Sequence, residues 1–324
     1  MVFAVGHIFR RMMSTSPASR FLTLPNSPIV LENGDIDSSS INVHYWEWQG
    51  HKPTVLFCHA ASFHGRCYDR LITEALRGYH VIAIDFRGHG QSVKHPPPYQ
   101  FRWFGEDLFK IIHALGLTDG KLIGIGHSVG GYALTWAAAK ASTRLFHSLL
   151  LLDPVIFPPS FYQFFFGENV NTEQIARRKS QFTSIEDMIS RMSTRGPFAQ
   201  WPKDVLRDYC THALDENFAL QCAPVGEASI YQYGAHADNN IYPLIEKSAF
   251  INDIPIDVVR ASLPFISGSL NESPTSPELA TCFKKGRDIL LKDARHLFPM
   301  ENPQLAIETI RNFLKEHRTL YANL

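Results

Sequence analysis

The segment Gly126–Gly130 has the form G-x-S-x-G, which places one serine between two glycines. An apolar run, Lys121–Ile125, precedes it, and Val129–Ala141, rich in small residues, follows it with helical spacing. A serine on a tight turn from a strand into a helix projects its hydroxyl out of the sheet. The glycines are needed because side chains there would collide with neighbouring backbone. The helix N-terminus also favours negative charge at this point. The pattern therefore predicts Ser128 as a nucleophile.

A second segment could supply the base for this serine. His296–Pro303 has the form H-x-x-P-x-E-x-P and lies between the last predicted strand and the last predicted helix. The chain has 15 histidines, so the position of His296 carries the prediction rather than its residue type. We expect His296 to take the proton from Ser128 and to pass it to the leaving group.

Two carboxylates could orient this histidine, and the order serine, acid, histidine along the chain permits both. Asp153 directly follows the predicted strand Ser148–Leu152, beside the strand that carries Ser128. Glu272 lies in the loop after the seventh predicted strand, where residues 261–287 contain no aspartate. An aspartate at the end of a buried strand can accept from the imidazole Nδ1–H and fix its tautomer. We therefore favour Asp153, with Glu272 as the alternative acid.

Two backbone amides are candidates for the oxyanion hole, which stabilises the negative charge on the attacked carbonyl oxygen. One belongs to Val129, directly after the predicted nucleophile. The other belongs to Ala61, in the loop that follows the predicted strand Thr54–Cys58. Two preorganised donors of this kind are worth a few kcal/mol in the transition state. His59, in the same loop, is predicted to be structural.

The elements that must position these residues alternate between short apolar runs and helical patterns. Continuous apolar runs are typical of strands covered on both faces, and the alternation predicts βαβ units on a mostly parallel sheet. The eight predicted strands are Ile29–Glu32, Ile41–Trp48, Thr54–Cys58, His80–Asp85, Lys121–Ile125, Ser148–Leu152, Ile256–Val259 and Asp288–Leu291. The predicted core helices are Phe101–Leu115, Val129–Ala141 and Pro303–Arg318.

A stretch between the sixth and seventh predicted strands differs from the rest. Residues 155–250 are richer in helical spacing and polar side chains and contain no apolar run typical of a buried strand. We predict that they form a helical cap inserted into a core made of residues 29–154 and 251–320. Phe161 and Phe165 in this cap are the candidates for lining an apolar substrate pocket.

Both ends of the chain have features of targeting segments. Residues 1–28 form a basic leader without acidic residues, which is typical either of a disordered segment or of a mitochondrial transit peptide. Residues 321–324 form a tail that ends in Ala322-Asn323-Leu324, similar to the S-K-L type of peroxisomal signal read by an import receptor. We expect a peroxisomal protein, with the mitochondrion or the cytoplasm as alternatives.

The composition excludes several function classes. Lys+Arg and Asp+Glu are equal at 31 each, which does not favour a nucleic-acid partner. No apolar run reaches the roughly 18–20 residues of a membrane span. The five cysteines are scattered and none are spaced as C-x-x-C, so neither a disulfide framework nor a zinc site is predicted. We expect no metal and no cofactor.

Taken together, four segments resemble a known family. They are His59–Arg66, Gly126–Gly131, Leu152–Pro158 and His296–Pro303. They are similar to the α/β-hydrolase superfamily (AB hydrolase-1 type), in a branch that includes fungal peroxisomal lipase-like serine hydrolases. The resemblance covers roughly residues 29–315 and implies an α/β-hydrolase fold with an inserted cap. Members with an acid and a proline after the sixth strand support Asp153. The departures are His59-Ala60 where His-Gly is usual, and the missing acid after the seventh strand.

The resemblance and the predicted site together imply a serine hydrolase. We expect it to cleave a carboxylic ester, of the esterase or lipase-like kind, through an acyl-enzyme on Ser128. The expected substrate is a small-molecule ester or a lipid-like ester. Hydrolysis of a C–C bond or a thioester by the same three residues is one alternative. A catalytically silent homologue that binds a ligand is another, which the unusual His-Ala loop permits.

Overall fold

The computed structural model describes residues 16–162, 172–266, 269 and 271–317. Most of the predicted leader, the C-terminal Ala322-Asn323-Leu324 and the candidate pocket residue Phe165 lie outside these ranges. The targeting and pocket assignments made for them therefore stay predictions.

Among the described residues, eight strands form one sheet. They are β1 (Ala18–Val30), β2 (Ile36–Trp48), β3 (His51–Cys58), β4 (Tyr79–Ile84), β5 (Leu122–His127), β6 (Phe146–Leu152), β7 (Ile256–Ala261) and β8 (Gly286–Leu291). Their order in the sheet is β1-β2-β4-β3-β5-β6-β7-β8. The pairs β1–β2 and β2–β4 are antiparallel, and the other five pairs are parallel. The predicted mostly parallel, eight-stranded sheet is confirmed.

The helices cover both faces of this sheet. Those among the described residues are α1 (Asp69–Ala75), α2 (Phe101–Ala114), α3 (Val129–Lys140), α4 (Glu173–Ala176), α5 (Ile185–Met192), α6 (Lys203–Ala213), α7 (Pro224–Tyr233), α8 (Tyr242–Lys247), α9 (Phe298–Glu301) and α10 (Pro303–Glu316). On β3, Leu56 packs into the cluster that holds α2 and α3, whereas Val55 and Phe57 pack into the cluster of α1 and α10. This alternation buries both faces, which explains the continuous apolar runs.

The first strand differs from the expected boundary of the core at residue 29. It begins at Ala18, which lies opposite Glu47 in an antiparallel ladder with β2, so the core extends into the predicted leader. β1 is the edge of the sheet and its residues are mostly exposed or half-buried. Polar residues such as Arg20 and Thr23 are tolerated there. Because of them, most of β1 lacks the continuous apolar run that predicts a strand buried on both faces.

The described residues between β6 and β7 form helices α4 to α8 and no strand. Two isolated bridge pairs, Gln181 with Ala219 and Leu214 with Leu220, are their extended contacts. Because β6 and β7 are parallel neighbours, the whole segment is inserted between two adjacent strands. Within the described ranges, no helix combines the length and the apolar character needed to cross a bilayer.

Candidate active site

Ser128 occupies the turn between β5 and α3. Its backbone has φ 57° and ψ −120°, a region that is costly for a residue with a side chain. A Cβ on Gly126 would lie 2.6 Å from the carbonyl carbon of Gly130, and a Cβ on Gly130 would lie 2.2 Å from the carbonyl oxygen of Cys58. The Ser128 amide donates to the Leu152 carbonyl at 3.0 Å. Close backbone packing therefore explains why the turn needs both glycines.

The structure brings Ser128, His296 and Asp153 together in one chain of hydrogen bonds. Ser128 Oγ lies 3.0 Å from His296 Nε2, and His296 Nδ1 lies 2.7 Å from Asp153 Oδ2. A carboxylate accepts, so Nδ1 carries the proton and Nε2 accepts from the serine hydroxyl. All three residues are buried. This is the geometry required for a base to activate a nucleophile.

The second carboxylate oxygen of Asp153 is also saturated. Its Oδ1 accepts from the Ala261 amide at 3.0 Å and from Ser273 Oγ at 2.5 Å. Thr275 Oγ1 lies 3.1 Å from Oδ1 and donates over the shorter distance of 2.7 Å to the Pro154 carbonyl. A buried carboxylate is costly without such partners. These contacts on Oδ1 hold the carboxylate so that Oδ2 faces His296. Ser273 and Thr275 were not predicted, because an isolated serine or threonine in a loop carries no pattern.

The other candidate acid, Glu272, has a different partner. Both ring nitrogens of His296 are already engaged, by Ser128 and by Asp153. The Glu272 carboxylate instead accepts from the Ile266 amide at 2.7 Å. The sequence left these two carboxylates open, and in the structure only Asp153 contacts the histidine.

The loop after β3 lies against the Ser128 turn. Gly130 approaches the carbonyl oxygens of Cys58 and His59, where a Cβ would lie within 2.8 Å of either oxygen. This contact brings Ala61 to the same cavity as Ser128. Among the described residues, the amides of Ala61 and Val129 have no hydrogen-bond partner, so both remain available to a ligand.

Two buried histidines brace this loop. His59 Nδ1 donates to the Ala60 carbonyl at 2.6 Å, and its Nε2 accepts from the Phe86 amide at 2.9 Å. His89 Nε2 accepts from the Ser62 amide at 3.0 Å. Burial lowers the pKa of His59 to about 4 and the pKa of His89 to about 3. Both rings are therefore neutral near pH 7, and the contacts of His59 are those expected of a residue that supports the loop.

These histidines predict a dependence of stability on pH. His59, His89 and His64, whose pKa burial also lowers to about 4, titrate near 6.5 in the unfolded chain. Between pH 6.5 and 4 the unfolded state binds more protons, so the free energy of unfolding should fall as the pH falls. Each histidine contributes up to about 1.4 kcal/mol per pH unit in that window and nothing above it. Urea unfolding from pH 8 to 5 measures this, and a flat profile below pH 6.5 would contradict it.

A further network, not predicted from the sequence, links the site to its supports. Tyr68 Oη accepts from the Ala60 amide at 3.1 Å and donates to His127 Nδ1 at 2.7 Å. His127 Nε2 donates to the His296 carbonyl at 2.9 Å. One buried chain of hydrogen bonds thus connects the oxyanion loop with the backbone of the base. The x position of the G-x-S-x-G pattern gave no indication of this role for His127.

Ser128 and His296 open onto a cavity of about 260 Å³. Much of its wall is apolar and includes Phe63, Phe101, Val155, Phe157, Phe161, Phe198, Phe265, Ile266 and Leu297. The Phe157 and Phe161 rings stack at 5.8 Å between centroids, and Phe265 meets both rings edge-on. The structure therefore places Phe161 on the cavity wall, and its contact with a substrate stays a prediction. Phe165 lies outside the described residues.

A family model described as "Alpha/beta hydrolase family" matches residues 55–309, which include Ser128, Asp153 and His296. The chain belongs to the alpha/beta hydrolase family. The fold class and the resemblance expected from the sequence are thereby confirmed.

Individual relatives of this family member are distant. The non-heme chloroperoxidase CPO-A1 of Kitasatospora aureofaciens is 32% identical over 120 residues, which cover 37% of this chain and 42% of that protein. The match thus spans less than half the length of that relative. A thermophilic esterase from Thermogutta terrifontis has a TM-score of 0.62 at 22% identity, covering 92% of this chain and 99% of that one. The peroxisomal alpha-beta-hydrolase Lpx1 of Saccharomyces cerevisiae has a TM-score of 0.67 at 14% identity, covering 94% and 90%. At these identities the two structures share the fold.

One group of potential metal ligands lies at another place in this family member. Asp257, Glu316 and His317 bring their ligand atoms together near the C-terminal end of α10. Arg287 forms ion pairs with both acids, so a guanidinium already supplies the positive charge. The cluster is therefore a salt-bridge network, and its contacts give no reason to assign a metal.

Proposed function

We propose that this protein is a serine hydrolase that cleaves a carboxylic ester. The observation that carries the proposal is the hydrogen-bonded series from Ser128 through His296 to Asp153, at 3.0 and 2.7 Å. Ser128 is the nucleophile, His296 the general base and acid, and Asp153 the group that orients the imidazole. The amides of Val129 and Ala61 form the oxyanion hole.

The proposed reaction has two halves. Ser128 Oγ attacks the ester carbonyl while its proton moves to His296 Nε2, and the carbonyl oxygen becomes an oxyanion held by the two amides. The intermediate collapses to an acyl-enzyme, and the imidazolium protonates the departing alcohol. Water then attacks the acyl-enzyme with His296 as base, and the acid leaves. Asp153 stays ionised and stabilises the imidazolium.

The cavity supports a substrate with a sizeable apolar part. Phe157, Phe161 and Phe265 form an aromatic cluster on its wall, which would bury an acyl or alcohol chain. The chemistry is complete with the side chains and amides of this chain, so the proposal requires no cofactor.

A fluorophosphonate probe tests the nucleophile directly, because it reacts with an activated serine. We expect stoichiometric labelling that maps to Ser128 and is lost in Ser128→Ala. Ser190→Ala, at an exposed position of α5, is the matched control and should label like the wild type. Absence of labelling in the wild type would favour a catalytically silent ligand-binding protein, and labelling at another serine would overturn the assignment.

The class of bond needs a separate experiment. Hydrolysis of C–C bonds and of thioesters can use the same three residues, so matched oxoesters, thioesters and β-diketones should be compared with one preparation. We expect the highest kcat/KM for the oxoesters. Turnover of a thioester or a diketone without oxoester hydrolysis would reassign the reaction while it leaves the role of Ser128 intact.

A further inference from the structure

Part of the cavity wall is polar and has no role in the reaction proposed above. Ser62, Arg178, Glu227 and Tyr231 line the same cavity as Ser128, and we call these four residues the polar wall. Ser62 directly follows the oxyanion donor Ala61, whereas the other three come from the inserted helical segment. The polar wall therefore lies beside the oxyanion hole, within reach of a substrate bound to Ser128.

The contacts of the polar wall centre on Glu227. Ser62 Oγ donates to Glu227 Oε1 at 2.6 Å, and the Arg178 guanidinium forms an ion pair with the other carboxylate oxygen. Ser62 Oγ also lies 3.4 Å from Tyr231 Oη, a weaker contact at that distance. Glu227 is buried, and burial raises its pKa while the Arg178 charge opposes the rise. Both oxygens of the Glu227 carboxylate are thus bound to neighbouring side chains.

Arg178 retains donors after this pairing. Among the described residues, the Glu227 carboxylate is the only hydrogen-bond or ion-pair partner of the Arg178 side chain. A guanidinium has five N–H donors, and one carboxylate cannot engage them all. The Arg178 side chain is 27% exposed and lines the cavity, and its buried Nε has no hydrogen-bond partner among the described residues. The polar wall therefore presents a surplus of donors, which suits an acceptor oxygen.

The charges of the cavity decide which kind of acceptor fits. Arg178 is balanced by Glu227, and Glu272 adds a second carboxylate to the wall. The wall therefore has no surplus of positive charge. A substrate carboxylate would lose its hydration and meet two acids beside one base, which is unfavourable. An uncharged oxygen would accept the same hydrogen bonds without that cost.

We propose that the polar wall is a substrate subsite that binds an uncharged acceptor oxygen, such as that of a ketone or an amide, through Arg178. Glu227 is its specificity-determining partner, because it neutralises the arginine and so excludes carboxylates. The substrate class is then an ester with an apolar part for the aromatic cluster and a neutral oxygen function for the polar wall. This inference rests on the proposed ester hydrolysis at Ser128.

Matched esters test the subsite. Ethyl heptanoate is compared with its 4-, 5- and 6-keto derivatives, and with the ethyl half-esters of succinate, glutarate and adipate, which carry a carboxylate at the same carbons. Reactions are followed at pH 8 by chromatography of the released acids. In the wild type we expect the best keto ester to exceed both ethyl heptanoate and its matching half-ester by roughly tenfold in kcat/KM, as for one hydrogen bond to a charged donor.

Two variants separate the roles of the ion pair. In Arg178→Met the ratio of keto ester to heptanoate should fall to about one, because the donor is gone. Glu227→Gln keeps an oxygen that accepts from Ser62 but leaves Arg178 uncompensated, so the ratio of half-ester to keto ester should rise by at least about tenfold. Arg177→Met, at an exposed neighbour paired with Glu173, is the control and should leave every ratio unchanged.

Ratios within one variant cancel general effects on activity, and circular dichroism monitors the fold. Should either single variant unfold, the double variant Arg178→Met with Glu227→Met removes both charges together and should lose the keto preference without gaining half-ester hydrolysis. Unchanged ratios in Arg178→Met or Glu227→Gln, with heptanoate still cleaved through Ser128, would overturn the subsite alone. If the wild type showed no Ser128-dependent hydrolysis of any of these esters, the proposed function itself would be overturned.

Discussion

Replacement of Ser128 by alanine should lower kcat for any ester substrate by about a millionfold, to the background left by binding and the oxyanion amides. In the proposed mechanism the serine oxygen forms the bond of the acyl-enzyme. Among the described residues, Ser128 supplies the hydroxyl that lies 3.0 Å from His296 Nε2. Steady-state rates with a chromogenic ester measure the loss. Wild-type protein diluted into the variant in known amounts corrects for contamination.

The Ser128→Ala variant should fold normally. The hydroxyl contacts His296, whereas the amide and carbonyl of residue 128 hold the turn through Leu152 and Gly131. The unfolding transition in urea should therefore stay close to that of the wild type. Activity within tenfold of the wild type in a folded variant would mean that another nucleophile acts, and the proposed acyl-enzyme would be wrong.

Replacement of Asp153 by asparagine should lower kcat by about 10⁴. Oδ1 accepts from the Ala261 amide and from Ser273 Oγ, so the asparagine oxygen is required there. The amide NH₂ must then face His296 Nδ1, which becomes an acceptor. The imidazole proton moves to Nε2, and the histidine can no longer accept the proton of Ser128.

Glu272→Gln is the matched control for this variant. Glu272 was the alternative acid, and its carboxylate accepts from the Ile266 amide rather than from His296. We expect Glu272→Gln to lose less than about tenfold in kcat, far less than Asp153→Asn. The opposite order of losses, measured with one ester under the same conditions, would move the role of the acid to Glu272.

Ser128 and His296 could be predicted as nucleophile and base because the roles proposed for them depend on sequence patterns that are local in the chain. The Ser128 turn requires glycines at fixed spacing, and residues 126 and 130 carry that requirement in the chain itself. The strands were predicted for a similar reason, since burial on both faces demands continuous apolar runs. β1 was predicted only in its last residues because an edge strand does not meet this demand.

Contacts between residues far apart in the chain could not be predicted from the sequence and are seen only in the tertiary structure. Asp153 and Glu272 both satisfy the predicted order of the catalytic residues. In the sheet, β6, β7 and β8 are parallel neighbours, so the segments after β6 and β8 meet at one edge, where Asp153 lies 2.7 Å from His296. The Tyr68–His127 network depends in the same way on contacts between separate elements.

The sequence by itself therefore predicted the strands, the Ser128 turn and the position of His296. Backbone strain at the turn requires glycines at fixed positions, and burial of a strand on both faces requires a continuous apolar run. The tertiary structure brought Asp153 to His296 and assembled the polar wall of the cavity. Ser62 and Glu227 stand 165 residues apart and meet only when the inserted helices fold over the oxyanion loop. Single polar residues form no such pattern, because their roles depend on partners that belong to other elements of the fold.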